Sequence, residues 1–237
     1  MLKPEVIEAA SFQMAWGQAI LQLKDRQWDR YNLVVHVRDV EAFDKGANDA
    51  VKSFCIDHGL KTPTKVARTI FPQRLYELSD SADDLYRQYL EVCAGAKGKL
   101  RWGTYFQRMI QYPTANGIVR QLPNVIDCLN KRQKRHHAAY TMLMQKPGSE
   151  TVLTMGGPCL NYVAIQISGA DTVGLLAVYR NHEFLERAYG NYWGLCNLTR
   201  FIAKETGMNP GPLTCISSHA YVRTLKRQLA GLGRTLS

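Results

Sequence analysis

The segment LNYVAIQIS, Leu160–Ser168, constrains this chain most. Its residues alternate, with Tyr162, Ala164 and Gln166 on one side and Val163, Ile165 and Ile167 on the other. A period of two is the mark of a strand. GLLAVYR, residues 174–180, supplies a second strand, and Ala170 to Gly174 reads as the hairpin turn between them. HHAAYTMLMQ, residues 136–145, and the β-branched YNLVVHVRDV, Tyr31–Val40, add two more strands.

Helical spacing surrounds this strand-rich part. Ile7, Ala10, Met14 and Leu21 predict a helix over residues 5–24, and Leu85, Tyr89 and Val92 predict one over 81–95. Leu195, Leu198 and Ile202 predict a long helix over Tyr192–Glu205, stopped by Gly207 with Pro210 and Pro212. The last segment places Val222, Leu225, Leu229 and Leu232 on one face and Arg223, Lys226 and Arg227 on the other, as an amphipathic helix does. The fold class expected is α/β (α+β), a mixed β-sheet flanked by helices. With 237 residues, no repeat and no low-complexity linker, a single domain over 1–237 is expected.

Composition narrows the function classes. Hydrophobic residues make up 46% and charged ones 21%, which are globular values. The six cysteines include no CxxC pair, so neither a metal site nor a redox motif is expected. The start, MLKPEVIEAA, has no apolar signal core, and no run reaches membrane-spanning length. Together these features predict a cytoplasmic protein with free thiols. The net charge of +10 favours an anionic partner. The densest basic run is KRQKRHH, residues 131–137; it reads equally as a solvated loop or helix end. No zinc finger or RNA-binding signature accompanies it, so no direct role with nucleic acid is expected.

Cys159 follows Gly156, Gly157 and Pro158 directly and precedes the alternating strand. A lone cysteine there is ordinarily core. Its company changes the reading. YRNHEFLERAYGN brings Arg180, Asn181, Glu183 and Asn191 after the hairpin, and SSHAY offers His219 and Tyr221 on alternate, co-facing positions. The ordered set GGPCL, YRNHEFLERAYGN, GMNPGP and SSHAY resembles the thymidylate synthase family, which includes the pyrimidine nucleotide hydroxymethylases. The resemblance covers about residues 134–221, RWGTYFQRM (residues 101–109) resembles a further family segment weakly, and the first hundred residues diverge.

The resemblance implies a thymidylate synthase-like fold and specific roles. Cys159 would attack C6 of a pyrimidine, as a thiolate whose pKa a neighbouring cation can lower. Arg180 would supply that charge and hold the 5′-phosphate; a surface ion pair is the plainer alternative. The activated C5 would take a one-carbon unit from 5,10-methylenetetrahydrofolate. Asn191, with one donor and one acceptor edge, would match the N3–H and O4 of uracil, unless it merely caps the helix after it. His219 and Tyr221 would bind the sugar hydroxyl. Arg135, beside Lys134 or His136, would reach the phosphate of a partner subunit, which implies a homodimer with shared sites.

Three positions depart from the family pattern: Asn181 stands for Ser, Glu183 for Asp and Leu160 for His. The general-base segment has no clean match; Glu77 in RLYEL is the candidate, with an exposed helical glutamate as the alternative. Sixteen residues follow Tyr221, fewer than thymidylate synthases carry there. Their tail excludes water, which would otherwise compete with hydride. The expected activity is therefore a C5-hydroxymethylase with dUMP as substrate. The alternatives are thymidylate synthase, a cytidylate (dCMP or CMP) hydroxymethylase, and a non-catalytic nucleotide- or RNA-binding member.

Overall fold

The structure is a computed structural model that describes residues 2–95, 102–131, 139–153, 156–169 and 171–237. Its main sheet has seven strands. These are β1 (Glu5–Ala9), β2 (Asp29–Val37), β5 (Ala139–Leu143), β6 (Leu160–Ser168), β7 (Thr172–Tyr179), the short β8 (His182–Glu183) and β9 (Asn209–Tyr221). The order is β1-β2-β9-β7-β6-β5, with β8 paired to β9. Pairings β1/β2, β7/β9 and β8/β9 are parallel and the rest antiparallel, so the sheet is mixed. The three-residue strands β3 (Tyr112–Thr114) and β4 (Gly117–Val119) form a separate ribbon with each other.

The segment 5–24 divides, against the single helix its spacing predicts. Val6 and Ile7 lie in β1, which adds to the sheet edge beside β2. Ser11 then starts helix α1 (Phe12–Asp25), its hydroxyl accepting the N–H of Met14 at 3.3 Å. The buried face is Ala15, Trp16, Ala19, Ile20 and Leu23, while Met14 is exposed. Helices α2 (Lys45–Asp57), α3 (Pro63–Ala67), α4 (Gln73–Leu78), α5 (Ala82–Gly95), α6 (Tyr105–Ile110) and α7 (Gln121–Lys131) follow. In α5, Leu85 and Tyr89 are buried as expected. Val92 is exposed, because the last turn is uncovered apart from half-buried Cys93.

The hairpin is tighter than predicted. Ser168 already pairs with Thr172, and Gly169 adopts φ +61°, so Thr172 to Gly174 belong to β7. A π-helical turn, Phe184–Ala188, leads into α8 (Tyr189–Thr206), which starts earlier than its spacing suggests. Gly207, at φ +62°, ends α8 in the left-handed region. Pro210 and Pro212 fall inside β9. They precede Leu213, where pairing with β2 begins, so one side of the strand is free of ladder bonds there. The closing helix α9 is Lys226–Leu236; Val222 and Arg223 precede it, and Leu225 at φ +53° turns the chain into it. Gly17 and Gly233 let α9 close on α1, since a Cβ on Gly17 would sit 2.9 Å from Leu236 backbone.

The core lies between the sheet and α1, α8 and α9. Leu33, Val35, Ala177, Tyr179, Leu213 and Cys215 face it and are fully buried. The opposite sheet face carries a row of cross-strand partners: Leu143, Tyr162, Val178, Ile216, Val34 and Val6. Its inner members are half-buried and its two ends exposed. Among the described residues no helix is long and apolar enough to cross a membrane.

Candidate active site

Cys159 lies one residue before β6, at the end of a loop held from both sides. On one side, Arg108 of α6 is 3% exposed and grips Glu150 through two nitrogens at 2.7 and 2.6 Å. The same guanidinium donates to the Trp102 carbonyl at 2.9 Å. On the other side, Arg180 donates to the Leu153 carbonyl. Gly157 admits this arginine, because a Cβ there would meet Nη2 at 3.3 Å. The Cys159 backbone is then fixed. The N–H groups of Cys159 and Leu160 donate to the Tyr105 hydroxyl at 3.2 and 3.3 Å, and the Arg180 N–H donates to the Cys159 carbonyl at 2.9 Å. Backbone pinning of this kind leaves the side chain as the free part of the residue.

That side chain lines a cavity of about 510 Å³, within the usual range for small-molecule sites. Asn181, Glu183, Asn191 and Tyr221 line it too, so five of the residues singled out from the sequence share one space. Trp102 and Tyr105 add aromatic walls, and Arg187 and Arg223 stand exposed at its edge. Three other cysteines, Cys55, Cys196 and Cys215, are buried, and burial raises their thiols, to about 11 for Cys55 and about 12 for Cys196. Those three are poor nucleophiles.

Asn191 is not a helix cap. It is the third residue of α8, 4% exposed, and its Nδ2 donates to Nε2 of His182 at 3.0 Å. His182 was not singled out from the sequence. It is 1% exposed, its Nδ1 lies 2.8 Å from the Ser217 hydroxyl, and its ring stacks on Tyr179 at 4.0 Å. Burial pushes its pKa down to about 3, so the ring is neutral at pH 7.

Glu183 caps the π-helical turn. Its oxygens accept the N–H groups of Leu185 and Glu186 at 3.2 and 2.6 Å. Burial raises its carboxyl above the ordinary range, against the pull of those two donors and of Arg223. A half-buried carboxyl in the same cavity as a thiol is the kind of group general acid–base chemistry uses.

The remaining sequence candidates stand elsewhere. Arg180 and His219 do not line the cavity; they hold residues that do. His219 has Nδ1 3.1 Å from Asn181 Oδ1 and Nε2 3.0 Å from Asp29 Oδ2, and its ring stacks between Tyr31 and Tyr221. Arg223 covers the Tyr221 ring and donates to its hydroxyl at 3.2 Å. Glu77 lies on α4 at a different cavity, beside Tyr76, Lys204 and Glu205, and pairs with Arg74 at 3.2 Å. The structure therefore does not bring Glu77 to Cys159, and the carboxylates that share the thiol's cavity are Glu183 and Glu186. Arg135, with Lys134 and His136, lies outside the described residues. Among the described residues no cluster of three or more His, Cys, Asp or Glu side chains could hold a metal ion.

The signal for His182 was present but mute: a histidine inside the Arg180–Asn191 stretch, whose purpose depends on where α8 crosses β8. Arg187 and Arg223 carried no signal beyond charge. As a whole the site offers a thiol, an oriented amide, a half-buried carboxyl and flat walls, which suits covalent addition to a planar heterocycle.

No protein-family profile matches the chain. Three curated relatives do, each bearing the name "Putative thymidylate synthase". The chain is 28% identical to that of Methanocaldococcus jannaschii over 151 residues, 62% of this chain and 66% of the relative. It is 31% identical to that of Methanococcoides burtonii over 120 residues, 50% and 52% of the two chains. It is 29% identical to that of Methanosarcina mazei over 119 residues, again 50% and 52%. The chain thus spans between about half and two thirds of the length of these relatives. The likeness supports a thymidylate synthase-like family and goes no finer.

Proposed function

We propose that this chain transfers a one-carbon unit to C5 of a uridylate nucleotide through a covalent bond between Cys159 Sγ and C6 of the ring. One observation carries the reading: the only thiol facing the cavity among the described cysteines shares it with Asn191, Glu183 and Tyr221. The thiolate would add to C6 and push electron density to C5, which bonds the incoming carbon. The C5 proton leaves to a base, for which Glu183 is the placed carboxylate. The electrons of the C5–H bond expel the amine of the one-carbon carrier and leave an exocyclic methylene; water adds to that carbon, loses its proton to solvent, and the returning electrons expel the thiolate from C6 and restore the C5–C6 double bond.

Asn191 would read N3–H and O4 of uracil, with dUMP as the first-choice substrate. Tyr221, steadied by His219, would meet the sugar. Arg135 with its neighbours from a second copy would take the 5′-phosphate, joined by Arg180 once its guanidinium releases the Leu153 carbonyl. The aromatic walls and the two cations at the edge fit a flat, anionic co-substrate. Trp102 and Tyr105 would hold the ring system of 5,10-methylenetetrahydrofolate and Arg187 and Arg223 its acidic tail. Such a co-substrate supplies carbon at the oxidation level of formaldehyde. A homodimer is part of the proposal, and the apolar row on the open sheet face supports it.

For the product we favour hydroxymethyl over methyl. Glu183 and Glu186 both line the cavity, and two carboxyl groups there would hold water near the reacting carbon. The names of the three relatives favour the methyl product, which is the second reading. Incubation with dUMP, dCMP, UMP and CMP plus methylenetetrahydrofolate, followed by mass spectrometry, separates them. A 5-hydroxymethyl product with tetrahydrofolate is expected; a 5-methyl product with dihydrofolate establishes the synthase. Turnover of a cytidylate alone would remove the assigned role of Asn191.

A further inference from the structure

We propose that His182 is the positioning residue that sets which edge Asn191 presents in the cavity, and thereby selects uracil over cytosine. The inference rests on the base-reading role given to Asn191 above, and extends it to the buried histidine that holds the Asn191 amide at the cavity wall.

A neutral imidazole has one donor and one acceptor. The Asn191 amide nitrogen donates to Nε2 at 3.0 Å, so Nε2 is the acceptor and the proton sits on Nδ1, which donates to the Ser217 hydroxyl at 2.8 Å. One amide N–H is thereby engaged. The second N–H and the carbonyl oxygen remain, a donor and an acceptor side by side. That pair complements the N3–H and O4 of uracil. Cytosine offers a bare N3 and an amino group, the reverse pattern.

The opposite arrangement has a definite cost. Turning the amide over would put Oδ1 against Nε2, which must then carry the proton, leaving Nδ1 to accept from Ser217. The carbonyl would spend one lone pair on Nε2–H, and the amide would present its donor and acceptor to the cavity in the opposite order, the order that fits the bare N3 and amino group of cytosine. The tautomer of one ring and the reading edge of another side chain are therefore a single choice. The ring has no freedom to blur it: His182 and Ser217 are 1% and 0% exposed, and Tyr179 lies parallel beneath the imidazole, 5° from coplanar. A buried polar chain linked at both imidazole nitrogens in this way fixes one arrangement. Protonation would break it, and burial opposes protonation.

Two measurements test this. Nitrogen-15 NMR of the imidazole in the nucleotide-free protein reads the tautomer directly; a pyrrole-type Nδ1 and a pyridine-type Nε2 are expected, and the reverse assignment overturns the proposal. Binding and turnover of dUMP and dCMP are then compared in wild type, His182→Phe, His182→Gln and Ser217→Ala, with circular dichroism to confirm the fold. His182→Phe keeps a flat ring on Tyr179 without either nitrogen. It should raise KM for dUMP on the order of tenfold, the weight of one or two oriented hydrogen bonds, and shrink the dUMP:dCMP preference. His182→Gln, which retains an acceptor and a donor, should restore part of that preference. An unchanged preference in folded His182→Phe overturns the proposal. If wild type itself binds neither nucleotide, the functional reading fails, and the specificity role with it, while the tautomer measurement still reports on the lock.

Discussion

His182 also ties stability to pH. Its pKa falls from 6.5 to about 3 on burial, so below 6.5 the unfolded chain binds a proton that the folded protein refuses. The stability owed to the neutral ring is present above pH 6.5 and drains away as pH falls towards 3. Denaturant unfolding at several pH values should therefore show wild type losing stability faster than His182→Phe across that window; parallel curves would contradict it. Glu183 works in the other sense, since a raised carboxyl favours the fold at low pH, but it is common to both proteins and cancels in their difference. At this scale the sequence was legible through the ordered motifs that resemble the thymidylate synthase family. Those motifs name Cys159, Asn191 and Tyr221 together, and the three line one cavity. His182 was illegible because its partners, Asn191 and Ser217, come from two other elements. Glu77 was misleading because a glutamate in an apolar stretch looks alike whether its helix ends at the thiol or elsewhere.

The start of α8 is clamped by α3 through two glycines. A Cβ on Gly190 would lie 2.6 Å from Val66 Cβ and 2.7 Å from the Pro63 carbonyl, and one on Gly194 2.7 Å from the Ala67 carbonyl. This close approach brings Val66 and Thr69 to the cavity beside Asn191. Gly190→Ala should destabilise the protein by about 1–3 kcal/mol, the usual cost of overpacking, and raise KM for the nucleotide. Calorimetry with steady-state kinetics checks both; an unchanged Tm would show that α3 yields freely. Strands β6 and β7 were legible because strict alternation admits no helical reading. The split of residues 5–24 into β1 and α1 was not, because Ile7 and Ala10 satisfy a helical period by chance and β1 gains its partner only from β2. The early start of α8 was hidden by the π-helical turn, whose extra residue breaks the spacing.

Across the whole molecule, helices cover one sheet face and an apolar row crosses the other from Leu143 to Val6. A charge in the middle of that row should separate two copies. Ile216→Lys is expected to convert a dimer into a folded monomer in analytical ultracentrifugation; a monomeric wild type would contradict the assembly proposed. The mixed α and β class and the central strands were legible from periodicity, whereas the open face was not, since half-buried positions and core positions carry the same residues. The central claim concerns Cys159, and tritium release from 5-tritiated dUMP in the presence of methylenetetrahydrofolate tests it most directly. Wild type should release tritium to water and Cys159→Ser should release none above background. Release retained by Cys159→Ser would contradict the account.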